Sequence, residues 1–308
     1  MIRVPARIQK CVGFVGGRRK DGTFALFGTL FFISRPIKGA TSGSIAFAVT
    51  ARHVLDAIRH YGLEPCLRLT VVLKVEKDGT LFHYPPWLTF KLDDWTEHPD
   101  RSVDAAIMPM LKWTLFDVDF IHPPMTLTRD IVTEQGIGVG DEVFMAGLFA
   151  NRPGADRNIP IVRVGNIAAM RDEPVYTPRF GEMDAYLIEA RSIGGLSGSP
   201  VFVHLGVTRF IEGHGIVTAA DPSGVFYWMG LVHGHFDSHG LTEADLVIGD
   251  AGVQRERVNM GIAIVVPADR ILEIFNEPKL RELEDLVAET AAAQGVVWPA
   301  GTDPSETT

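Results

Sequence analysis

Gly194-Gly195-Leu196-Ser197-Gly198-Ser199-Pro200 crowds small residues around one serine, just ahead of the apolar run Val201-Phe202-Val203. A serine hydroxyl attacks a carbonyl only when a base takes its proton and waiting donors receive the oxyanion. Glycines at 194, 195 and 198 let the backbone fold tightly and turn N–H groups toward one point. The base candidate is His53, at the end of the apolar run Ile45-Ala46-Phe47-Ala48-Val49-Thr50. The carboxylate candidate is Asp104, immediately before the apolar run Ala105-Ala106-Ile107-Met108, where partial burial makes an acid costly unless it is paired. Asp100 competes with it from a more polar loop. Each residue also has a plain structural reading: a tight turn for Ser197, a capping histidine for His53, a strand-opening turn for Asp104. The order His53, Asp104, Ser197 does not suit an α/β-hydrolase, which needs Gly-x-Ser-x-Gly and a histidine that comes last.

Holding three such groups together requires rigid elements. Short runs rich in Val, Ile, Phe and Leu predict strands over 12–15, 25–33, 45–50, 67–75, 88–92 and 105–110. Asp21-Gly22 and Asp78-Gly79 predict hairpin turns, and 53–61 predicts a short helix ended by Gly62. After a Pro-containing stretch, strands are predicted over 143–148, 161–164, 166–170, 186–190, 201–204, 226–233 and 260–266. Two β-rich halves of similar weight predict two packed barrels. The division expected is 10–118, a linker over 119–128, 129–276, and a helical tail with a disordered end over 277–308. Helices are predicted over 268–275 and 280–293, with surface loops at 219–224 and 237–257.

Composition narrows the function classes. Apolar residues make up 46% and charged residues 22% of the 308, a globular profile. A formal charge of −9 with no basic stripe argues against a nucleic-acid partner. No run approaches a membrane span, and the first residues lack a signal peptide's apolar segment, so a cytoplasmic protein is expected. The two cysteines, Cys11 and Cys66, are expected as reduced core residues.

The three strings together resemble the active-site motifs of the trypsin-like (chymotrypsin-fold) serine proteases, whose triad is a general template for this chemistry. Thr50-Ala51-Arg52-His53-Val54, Asp104-Ala105-Ala106-Ile107 and Gly195-Leu196-Ser197-Gly198-Ser199-Pro200 each match a family string. Residues 139–147 and 259–275 are similar to the bacterial HtrA-type branch, and 195–202 to the glutamyl-endopeptidase branch. The resemblance spans about residues 10–276 and includes no PDZ domain. It implies an all-β fold of two packed six-stranded antiparallel β-barrels with a C-terminal helical extension.

The same resemblance implies a serine endopeptidase with Ser197 as nucleophile, His53 as base, Asp104 as orienting acid, and the N–H groups of Gly195 and Ser197 as oxyanion hole. By position it puts Arg191, Gly194 and His233 in substrate binding, with an acidic side chain before the scissile bond as one option for Arg191 and His233. Leu196 stands where animal digestive members carry an acid, so activation by a newly cut N-terminus is not expected. No cofactor is expected. His233, His235, Asp237 and His239 have metal-ligand spacing, but no metal is assigned to them. The partner expected is a protein or peptide substrate. The alternative is a silent module, or one that a partner protein activates, whose protease fold binds peptides.

Overall fold

The computed structural model describes residues 4–40, 43–70, 74–75, 81–82, 87–110, 116–155, 157–190, 195–211, 213–219, 225–239 and 257–294. The chain enters through a short helix α1 (Ala6–Lys10) and builds strands β1 (Val12–Arg18), β2 (Phe24–Pro36) and β3 (Ser44–Thr50). Asp21 turns the first hairpin by accepting from the Thr23 N–H, and Gly22 supplies the positive φ of 84°. Helix α2 (Arg52–His60) follows, buries Val54, Leu55 and Ile58, and gives way to Gly62 with φ 59°. The first half continues through β4 (Glu64–Arg68), β5 (Lys74–Val75), β6 (Leu81–Phe82), β7 (Trp87–Thr89), β8 (Thr96–Glu97) and β9 (Ala106–Pro109).

These strands, β5 and β6 apart, make a seven-stranded antiparallel sheet in the order β7-β4-β1-β2-β3-β9-β8. Among the described residues this sheet has two edges, so the second of the two expected six-stranded barrels is not shown. The strand predicted over 67–75 leaves the ladder after Arg68. The Arg68 guanidinium turns outward to the carbonyls of Pro153, Gly154 and Ala155 at 2.7–2.8 Å, and its own carbonyl accepts from Asn158 Nδ2. Among the described residues β8 pairs only with β9, and β7 only with β4.

The second half opens with α3 (Arg129–Glu134), capped by the Thr128 hydroxyl. Its strands are β10 (Glu142–Gly147), β11 (Ile161–Ala169), β12 (Val175–Thr177), β13 (Gly181–Met183), β14 (Tyr186–Glu189), β15 (Pro200–His204), β16 (Thr208–Ile211), β17 (Gly215–Thr218), β18 (Phe226–His239) and β19 (Arg257–Pro267). Six of them close an antiparallel barrel in the order β10-β11-β14-β19-β18-β15, while β12–β13 and β16–β17 form separate hairpins. The predicted break at Gly165 is no break: β11 runs through it, where a Cβ would lie 1.9 Å from the Glu189 carbonyl oxygen. The Asp78-Gly79 turn, much of the 237–257 loop and the tail beyond 294 lie outside the described residues.

Alternation along the barrel strands divides its two faces. Val143, Met145, Val201 and Val203 point into the barrel, while Phe144 and Phe202 join a cluster that also holds Phe31, Phe47 and Ile107 of the first sheet. Phe31 meets Trp228 edge-on at 5.3 Å, and Phe144 stacks on Phe202 at 5.1 Å. The chain then ends in helices α4 (Ala268–Leu272) and α5 (Pro278–Gln294), joined by a 3₁₀ turn. Phe275 from that turn packs back on Phe47 of the first sheet at 4.8 Å. Among the described residues no helix is long and apolar enough to cross a membrane. Cys11 and Cys66 are both free and buried; desolvation pushes the Cys11 thiol up and that of Cys66 up to about 12.

Candidate active site at the junction of the two sheets

His53 lies in the first turn of α2, whose N-cap residue Ala51 offers no side-chain acceptor. The first N–H groups of a helix need partners from outside it. Asp104, fully buried in the loop two residues before β9, supplies one: its Oδ1 accepts from the His53 backbone N–H at 2.9 Å. Its Oδ2 lies 2.6 Å from His53 Nδ1. One carboxylate therefore caps the helix and holds the ring that the helix carries.

A second imidazole shares that oxygen. His233 Nδ1 is also 2.6 Å from Asp104 Oδ2, and the two rings meet edge-on at 5.4 Å. An ionised carboxylate only accepts, so both rings carry their donated proton on Nδ1 and, when neutral, leave Nε2 as a lone pair. Burial alone would raise the Asp104 pKa. The charge and hydrogen bonds of His53 and His233 outweigh it and hold the carboxyl far below the ordinary carboxylate range. Asp100 serves elsewhere, bonding the Ser102 N–H and hydroxyl and pairing with Arg270.

Ser197 sits on the loop entering β15, held from both sheets. The Thr29 N–H donates to the Ser197 carbonyl at 2.9 Å, the Thr29 hydroxyl donates to the Gly195 carbonyl at 2.8 Å, and the Leu148 N–H donates to Thr29 Oγ1. From the other side, the Gly198 N–H donates to the Val232 carbonyl. Gly198 has φ +83°, and a Cβ there would lie 2.2 Å from the Thr29 carbonyl oxygen. Gly195 likewise has φ +99°. Neither the Gly195 N–H nor the Ser197 N–H donates to a described residue. The Ser197 hydroxyl donates to the His233 carbonyl at 3.3 Å and makes no hydrogen bond to His53.

The fold thus brings His53, Asp104, His233, Gly195 and Ser197 to one place. Arg191 and Gly194 lie outside the described residues. The His233 ring, expected in substrate binding, has its Nδ1 against Asp104. Thr29, Arg52 and Phe180 also shape the site and went unrecognised in the sequence. Thr29 sits in an unbroken apolar strand with only Gly28 to mark a close approach, and no local signal points to Phe180.

Ligand atoms of His53, Asp104 and His233 lie within 4.8 Å of one another. Ligands about 2.0 Å from a tetrahedral ion stand roughly 3.3 Å apart, whereas these nitrogens approach the oxygen to 2.6 Å. The set is therefore spaced as hydrogen bonds. The side chains of Asp237 and His239 are outside the described residues.

No family model and no curated protein sequence matches this chain. Among solved structures, the chain is similar to the crystal structure of Deg5, with a TM-score of 0.42 and 14% identity over 87% of this chain and 88% of that one. The functional reading rests on the site's own geometry.

Proposed function

We propose that the protein is a serine endopeptidase working through an acyl-enzyme. The observation that carries this reading is the pairing of a fully buried, ionised Asp104 with His53 Nδ1, beside a serine whose loop holds two N–H groups that donate to no described residue. In the proposed cycle the Ser197 oxygen attacks the scissile carbonyl carbon and its proton passes to His53 Nε2. The oxyanion is received by the N–H groups of Gly195 and Ser197, each such donor being worth about 3–4 kcal/mol where measured in related chemistry. Collapse breaks the C–N bond, and His53 returns the proton to the leaving amine. Water then repeats the sequence on the ester, while Asp104 stays ionised throughout.

For the attack, the Ser197 hydroxyl has to leave the His233 carbonyl and turn to Nε2. That contact favours a second reading, a module that stays silent until a substrate or partner takes over the carbonyl. A fluorophosphonate probe separates the two. Wild type is expected to label covalently and Ser197→Ala not at all. Labelling that persists in Ser197→Ala removes the assignment, and an unlabelled wild type favours the silent module.

A further inference from the structure

The helix that carries His53 borders, through the preceding residue Arg52, a cavity of about 450 Å³ whose walls are dominated by guanidinium groups. Helix α2 contributes Arg52, Asp56 and Arg59, and the turn between β12 and β13 contributes Arg179 and Phe180. Glu97 at the end of β8 and Arg101 in the loop that leads to Asp104 complete it. Four arginines thus face two carboxylates. Those carboxylates are already engaged: Asp56 pairs with Arg59 at 2.6 Å and Arg179 at 3.0 Å, and Glu97 pairs with Arg59 at 3.2 Å.

Arg52 and Arg101 hold the surplus charge. Arg52 is only 7% exposed, yet it has no carboxylate partner among the described residues. Its Nη2 donates to the Arg101 carbonyl at 2.6 Å, and its guanidinium lies 5.1 Å from the Phe180 ring centroid. Those contacts leave most of five donors and a full charge without a partner among the described residues. The Arg101 side chain has no ion pair among the described residues. Planar guanidinium groups converging on one space suit a carboxylate or phosphate oxygen pair.

The cavity is joined to the candidate catalytic residues by one ring. Phe180 meets Arg52 and Arg179 on one side and packs edge-on against His233 at 4.9 Å on the other. We propose that this cavity is a subsite for an acidic side chain of the peptide substrate, a few residues from the bond being cut. The inference rests on the endopeptidase reading for its ligand, but not for its geometry. The chain's formal charge of −9 repels acidic ligands in general, so a preference for one has to come from a local surplus such as this.

The test uses the full chain carrying Ser197→Ala, so that peptides bind without being cut. Blocked octapeptides of alternating Glu and Ala, and their Gln–Ala counterparts, are titrated calorimetrically at low salt. The Glu peptide is expected to bind about tenfold tighter, and the advantage is expected to shrink as salt is raised. Adding Arg101→Gln and Arg179→Gln, both at the open side of the cavity, is expected to bring the two affinities together, with thermal unfolding confirming that the variant is folded. Equal affinities in the parent protein overturn the proposal, as does a Glu preference that survives both substitutions. Competition by sodium sulfate without any Glu preference marks the cavity as a site for free inorganic anions and also overturns it. Fluorophosphonate labelling of wild type without a Glu preference sinks the subsite alone. A Glu preference without labelling keeps the acidic-ligand site and sinks the hydrolase reading.

Discussion

Asp104 is asked to do three things with two oxygens: accept from the first turn of α2, orient His53, and hold His233. An amide at this position would keep the shape but lose the charge and offer a donor where an acceptor is needed. Asp104→Asn is expected to lower kcat/KM for a peptide substrate by about 10³–10⁴-fold, since His53 would lose the tautomer with a free Nε2. The sign of the pH effect follows from the lowered carboxyl pKa. A group depressed in the fold contributes stability above its unfolded pKa, about 3.9, and loses it as pH falls toward the folded value. Acid unfolding followed by circular dichroism should therefore steepen below about pH 4 in wild type and be flatter in Asp104→Asn. A slope that is unchanged by the substitution would contradict the assignment.

At the level of elements, the Ser197 loop is held by a strand it does not belong to. The Thr29 side chain joins the Gly195 carbonyl to the Leu148 N–H, and its backbone holds the Ser197 carbonyl. Thr29→Val keeps the volume but orphans the buried Leu148 N–H and the half-buried Gly195 carbonyl, at about 1–3 kcal/mol for a fully buried group. Urea unfolding should register that loss, and fluorophosphonate labelling should slow because the loop is freed from β2. Gly198→Ala acts from the other side of the same contact. With φ +83° and a Cβ 2.2 Å from the Thr29 carbonyl, it forces the loop off the strand. If either variant labels at the wild-type rate, the clamp does not position Ser197.

Across the whole molecule, the first sheet and the closed barrel share a core. Phe31 and Trp228 meet at the junction, Phe144 and Phe202 face the same way, and the C-terminal turn returns Phe275 to Phe47. Neither half buries its apolar face alone, so one cooperative transition is expected in calorimetry. Trp228→Ala should cost about 3–5 kcal/mol and lower the stability of both halves together. Two resolved transitions, with only one moved by Trp228→Ala, would show that the halves are independent.

Much of this was legible along the chain because it depends on neighbours in sequence. Apolar runs bounded by turn residues marked the barrel strands, Asp21-Gly22 marked a hairpin, and the glycines around Ser197 marked a backbone that needs positive φ. The types and order of His53, Asp104 and Ser197 singled them out before any geometry was known. What could not be read were relations set by contact between distant segments. Whether a row of strands closes depends on pairing between its two ends, and in the first half no described pair joins β7 to β8. His233 turning to Asp104, Ser197 donating to the His233 carbonyl, and Arg52 meeting Arg101 and Phe180 all join residues far apart in the chain. Local patterning carries burial and backbone conformation, but a side chain's partner is chosen only when packing brings competing donors and acceptors within about 3 Å of one another.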